Sequence, residues 1–309
     1  MDRLYIKRIL ELREKLYAVY TGHEKFIRPL VRYVLAFVVF FSISHAFPYQ
    51  EKISGILLSF VLALLGCFLP GGVLAFVFLV YATVQIYFLS PVLAGIVFFV
   101  SIVVYLMLLQ FAPETIGYVA YIPILAACKM PAFLAIVLGL FFGPASMLSL
   151  SGGVIFSYLL QGVKQCEKLV KDGTDILVLA ETFLDGLIRN MDLYVMLGMV
   201  CATMLLVYLV RRRKMSNSFE IAIAAASAGS FLLLLLGNLI LGCSFPIIWL
   251  LFGSVGTAVL AYLVHVMHMV LDYGAVEEVQ FEDDEYYYYV RAVPKLKATV
   301  EEKPARSGK

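Results

Sequence analysis

Apolar residues in this chain come in unbroken runs rather than in alternation. After Tyr33 one apolar segment follows another, each almost free of charge and bounded by proline, glycine or a short polar stretch. A helix needs ~20 apolar residues to cross the hydrocarbon core, and only helices or closed barrels satisfy their backbone hydrogen bonds inside lipid. Barrel strands alternate apolar and polar positions, and these runs do not. The pattern predicts an all-α polytopic membrane protein. Spans are expected at 33–48, 53–69, 72–89 and 91–110, with turns at Pro48, Pro70-Gly71-Gly72 and Ser90-Pro91. Further spans are expected at 193–210, 219–242 and 246–272.

The middle of the chain fits this scheme less easily. Segments 116–129, 131–147 and 149–163 are short and interrupted by Pro123, Pro131, Pro144 and Gly152-Gly153. The chain reaches Glu114 on one side of the membrane and residue 193 on the other, so an odd number of crossings separates them. Either all three segments cross, giving about 10 transmembrane helices, or two form a re-entrant hairpin, giving 8. Ten is the preferred expectation. Cys67-x-x-Pro70 recurs as Cys128-x-x-Pro131, and Leu89-Ser90 as Leu150-Ser151, both 61 residues apart. Residues 33–163 therefore form a membrane domain with a possible three-helix inverted repeat, 53–110 and 116–163. Transporters commonly carry such repeats, with interrupted helices at the repeat interface building the binding site.

Polar positions set the orientation and the flanking elements. Residues 1–32 carry eight Lys/Arg against four acids, with Ile9, Leu12, Leu16 and Tyr20 at helical spacing. They read as a cytoplasmic amphipathic helix, not a cleaved leader. Arg211-Arg212-Arg213-Lys214 fixes the end of span 193–210 as cytoplasmic, so the three-helix segment 193–272 returns the C-terminus there. In the connector 164–192, Ile176, Leu179, Phe183 and Leu187 share one helical face, which predicts an extracytoplasmic cap. In the tail, VEEVQFE and YYYYVRAV flank Asp283-Asp284-Glu285. A cytoplasmic β-hairpin is expected over 273–295, followed by a disordered tail, 296–309. A lone two-stranded hairpin is marginal in water, so a protein partner or a second copy of the chain is expected to cover it.

Composition narrows the chemistry. The chain is 62% hydrophobic and 15% charged, with net charge +2 and mean hydropathy +0.92, and nucleic acid is not an expected partner. The five cysteines form no CxxC or Cys/His cluster. No phosphate loop, HExxH, GxSxG or SxxK motif is present, so no catalytic, cofactor or metal residues are assigned and the chain is not read as an enzyme. His265 and His268, with Asp272 beyond, are an i, i+3 pair at the end of the last span, where imidazoles commonly face water. Confident spans carry no central carboxylate, which lowers the weight of ion-coupled transport and raises that of a passive, lipid-like path.

The segments IYFLSPVLAGIVFFV, LLQFAPETIGY and FEDDEYYYYVRAVPK resemble a family of uncharacterised multi-spanning membrane proteins of clostridia-like Gram-positive bacteria, over about residues 48–295. The resemblance implies a bacterial cytoplasmic membrane location and supplies no activity; the charge distribution and span count place both termini in the cytoplasm. The sequence thus predicts a membrane subunit of a transport or export system in contact with membrane lipid. Its candidate functional region is Glu114, Pro123, Lys129, Pro131, Pro144, Gly152 and Gly153. The alternative is a non-enzymatic scaffold docking partners through Tyr286, Tyr287, Tyr288, Tyr289 and Arg291.

Overall fold

The computed structural model describes residues 23–50, 55–213, 218–268, 277–282 and 287–292, with backbone alone for residues 24, 25, 28, 267 and 268 and for the last two segments. Helices dominate it: α1 (Glu24–Ala46), α2 (Ile56–Gly66), α3 (Gly71–Tyr87), α4 (Pro91–Phe111), a 3₁₀ helix (Ile116–Tyr121), α5 (Ile122–Ala127), α6 (Ala132–Phe141), α7 (Ser146–Lys171), α8 (Ile176–Ile188), α9 (Met191–Arg211), α10 (Ser218–Leu241) and α11 (Ile247–His268). Strands β1 (Glu277–Glu282) and β2 (Tyr287–Ala292) pair antiparallel, Val279 opposite Val290 and Phe281 opposite Tyr288. The turn between them and Tyr286 lie outside the described residues.

Among the described residues, six helices are long and apolar enough to cross a membrane: α1, α4, α7, α9, α10 and α11. The other segments that the sequence predicts as crossings are helical but short. α2 has 11 residues, α3 has 17, the 3₁₀ helix and α5 have 6 each, and α6 has 10. At ~1.5 Å per residue, α2 and α6 reach about half of a ~30 Å hydrocarbon core.

Side-chain contacts give the run of each helix. Gly66 and Leu74 pack at Ala36, Phe78 at Phe40, and Tyr81 at Phe40 and Ser44, so α3 runs parallel to α1. α4 returns antiparallel, its Tyr105 hydroxyl donating to the Gly72 carbonyl at 3.1 Å. Thr115 and Ser149 share a 2.7 Å hydrogen bond, and Gly152 abuts Val104 and Leu108, which starts α7 beside the end of α4. α6 ends beside α9, where Arg211 donates to the Leu140 carbonyl and, at 2.9 Å, to that of Phe142. α10 folds back along α9 with Gly237 at Val195, and α11 returns along α10 with His265 stacked on Phe219 at 5.1 Å. One end of the bundle thus gathers the start of α1, the ends of α4, α6 and α9, and the end of α11; Arg211 marks it. Tyr49 marks the opposite end, capped by α8, whose Phe183 ring meets Gly162.

α7 is the central helix, with 67% of its apolar window buried against 22% for α11. Phe40, Phe78 and Phe156 join α1, α3 and α7 through rings 6.3 and 5.4 Å apart. Such aromatic pairs contribute about 0.5–1.5 kcal/mol each beyond their buried area. A second cluster seats Leu134 and Leu138 of α6 against Met199, Val200 and Met204 of α9. Phe99, Leu239 and Trp249 face outward, as expected where the solvent is lipid.

Two boundaries differ from the sequence reading. α1 is continuous from Glu24, so no break at 32/33 separates a surface helix from the first span; residues 1–22 lie outside the described residues. α7 continues to Lys171 instead of ending at 163, and its exposed polar residues Gln161 and Lys164 line an open cavity beside α1. The chain then turns at Gly173, φ +73, into α8, where Leu179 and Phe183 are buried and Ile176 is exposed.

Candidate functional site

Two helical hairpins share one layout. α2 and α3 meet at Cys67-Phe68-Leu69-Pro70, α5 and α6 at Cys128-Lys129-Met130-Pro131, and each proline sits just before the second arm. The first tip points toward the Arg211 end, with the Cys67 thiol 3.5 Å from the Pro29 carbonyl. The second points toward the Tyr49 end. They touch where the tip of one meets the base of the other: a Cβ on Gly117 would fall 3.0 Å from the Gly71 Cα.

The second tip has unusual backbone. Lys129 has φ +62, the one positive value among the described non-glycine residues. Its N–H donates to Ala126 O at 3.1 Å and that of Met130 to Leu125 O at 2.8 Å. This is the Schellman way of closing a helix, normally given to glycine. A side chain in this conformation costs about 1–2 kcal/mol. Packing holds it there: the Lys129 carbonyl lies against Gly253 and the Met130 methyl against Gly256, both on α11. Gly253 is in the second turn of α11, which sets the tip ~9 Å below the start of that helix.

Beside the tip is a cavity of about 390 Å³ bounded by the last turns of α1 (Ser42 to Phe47), Phe78 of α3, Pro123 to Lys129, and Ser157, Leu160, Gln161 and Lys164 of α7. Its floor and walls are apolar and aromatic. Lys129 and Lys164 are its cations, and no acidic side chain lines it among the described residues. The Lys164 ammonium stands 5.3 Å from the centre of the Phe47 ring. Glu167, one turn further along α7, is engaged by Lys171 at 2.7 Å and by the Tyr49 hydroxyl at 3.2 Å. Burial first, and then the Glu167 carboxylate, push the Tyr49 phenol above its ordinary range. A second void, about 30 Å³ among Phe78, Val104, Leu108 and Phe156, is apolar apart from the buried Ser101 hydroxyl.

The candidate region from the sequence is divided by this geometry. Pro123 and Lys129 line the cavity, and Pro131 is buried at the start of α6. Gly152 and Gly153 let α7 approach α4 and α5, at Leu108 and Ile122. Glu114 and Pro144 are exposed at the Arg211 end. Glu114 is separated from Lys129 by the whole 3₁₀–α5 ascent, ~20 Å, so the two do not act together. Of the docking candidates, Tyr287, Tyr288, Tyr289 and Arg291 lie on β2 with their side chains outside the description. His265 is buried against Phe219, while the His268 side chain and Asp272 fall outside it.

Sequence reasoning missed Ser157, Gln161 and Lys164. Their i, i+4, i+7 spacing marks one face of a helix, a signal lost when the helix is ended at 163. Scans against family models and searches of curated proteins and of solved structures return no match to this chain.

Proposed function

We propose that the chain is a membrane-embedded transport protein that gives an amphipathic substrate an uncoupled path, with the cavity at the Lys129 tip as its entry. In this reading the six long helices cross the bilayer, and α2–α3 and 3₁₀-α5–α6 are re-entrant hairpins entering from opposite faces. The opposed runs of α2 and α5, α3 and α6, and α4 and α7 support an inverted repeat built around the two Cys-x-x-Pro tips. Exposed Arg212 and Arg213 favour a cytoplasmic Arg211 end, which makes the cavity extracytoplasmic.

The carrying observation is the cavity itself: 390 Å³ of polar-rimmed space inside an apolar bundle, whereas a scaffold needs no more than a solid core. Cys128 lines it and is exposed, so it serves as a native reporter. In a variant with Cys67, Cys166, Cys201 and Cys243 replaced by alanine, a membrane-impermeant thiol reagent is expected to modify Cys128 in right-side-out vesicles and not in inside-out ones. Protection in both preparations would remove the cavity as an entry.

The scaffold reading is favoured by one observation, the two-stranded sheet, which offers open edges for strand addition. Deleting residues 277–292 then abolishes co-purification of a partner while Cys128 labelling persists.

A further inference from the structure

We infer that the cavity binds the phosphate group of an amphiphilic anion between Lys129 and Lys164, with the apolar part of the ligand along Ala46, Pro123 and Ile124. The inference rests on the cavity being an entry for substrate, and it specifies what enters.

Charge is the first argument. Both lysines are exposed at the open cavity, and ammonium groups in a bilayer protein are paired or line water-filled paths. Here two lysines face one cavity with no carboxylate among its described lining residues. The neighbouring acid, Glu167, is engaged by Lys171 and Tyr49. The cavity thus carries a positive field that a cation or neutral solute does not answer.

Backbone is the second and independent argument. Glycine is the residue suited to the φ +62 position at the tip, and a lysine stands there. Strain of this kind persists where the surrounding structure fixes it, as Gly253 and Gly256 do here, and it gathers at ligand-binding positions. The Lys129 side chain contributes nothing to closing the turn, because both closing hydrogen bonds come from main-chain N–H groups.

Shape supplies the third. Phosphate alone would leave the half-buried apolar lining residues Ala46, Pro123 and Ile124 facing water, whereas an acyl or prenyl chain covers them. Lysine and Gln161 provide donors for phosphate oxygens.

Binding is measured on the full-length protein in a neutral maltoside detergent, with two probes: inorganic phosphate by calorimetric titration, and phosphatidic acid by native mass spectrometry, with phosphatidylcholine as competitor. Wild type, Lys129→Gly, Lys164→Gln and the surface control Arg189→Gln are compared after thermal unfolding has established that each is folded. At least a tenfold weakening of phosphatidic acid binding in both lysine variants, with Arg189→Gln within twofold of wild type, is the expected result. Lysine-dependent binding of inorganic phosphate with none of phosphatidic acid would keep the oxyanion site and overturn the amphiphile. Equal binding in wild type and both lysine variants would overturn the phosphate site altogether. Cys128 labelling in the same preparations separates the two levels: a labelled Cys128 without phosphate binding leaves the entry intact and removes only its ligand, while a protected Cys128 removes the entry.

Discussion

The carbonyl of Lys129 rests directly on the backbone of Gly253: a Cβ built on Gly253 would lie 3.0 Å from the Lys129 carbonyl carbon and overlap its oxygen. This contact joins the tip of a hairpin near the middle of the chain to the last long helix. It fixes the backbone of the tip against α11 and keeps Lys129 in the left-handed region.

Gly253→Ala is therefore expected to destabilise the protein by about 1–3 kcal/mol, the range for overpacking against a partner that cannot rotate away. Gly95 has open space around it, and Gly95→Ala should be neutral or stabilising by up to about 1 kcal/mol through helix propensity. Thermal unfolding of both variants in one detergent checks the contrast.

Lys129→Gly should raise stability by about 1 kcal/mol, since glycine adopts φ +62 without the penalty a side chain meets. Lys129→Val, β-branched, should lower it. The same unfolding assay orders the three proteins as glycine, lysine, valine.

Arg211→Ala should loosen the last turn of α6. Its guanidinium satisfies the Leu140 and Phe142 carbonyls, groups that a helix end leaves without intrahelical partners. Charged hydrogen bonds of this kind contribute about 1.5–3 kcal/mol. Hydrogen exchange over residues 138–142 should quicken in the variant, with the exchange of α10 unchanged.

Tyr49 gives a pH dependence. Its phenol is raised above its ordinary value by burial and by Glu167, so the folded protein holds this proton more tightly than the unfolded chain. The associated stability is full below pH ~10, where both forms are neutral, and is lost as pH rises beyond. Tyr49→Phe should be less stable than wild type by about 1 kcal/mol at pH 8, having lost the hydrogen bond to Glu167. That gap should close as pH passes 10, read from unfolding midpoints of both proteins across pH 8–11.

Helix existence was legible in the sequence because lipid-facing helices are apolar on every side, and so were the breaks at Pro70, Pro91 and Pro131, because proline has no N–H to continue a helix. Depth was less legible. Hydropathy registers apolar length, and α3 with its 17 residues reads much like a crossing, although its tip stops against Gly117. Lys129 was visible as a charge beside broken helices, but its backbone angle depends on Gly253, more than a hundred residues away. Lys164 was lost for the opposite reason: a charged residue near a span end reads as leaving the membrane, whereas its ammonium stands over the Phe47 ring at the border of a cavity. Arg211 was read as an orientation signal and also serves as the cap of α6.

The central claim is that the Lys129 hairpin turns inside the bundle instead of emerging. Thiol labelling at successive tip positions in an otherwise cysteine-free protein tests it most directly, using Cys128 itself, Met130→Cys and Pro131→Cys. The account predicts rapid labelling of Cys128 through the cavity, with residues 130 and 131 protected by α11 and by the buried start of α6. Labelling of all three at the rate of a free thiol would mean that the tip emerges into water, and would contradict it.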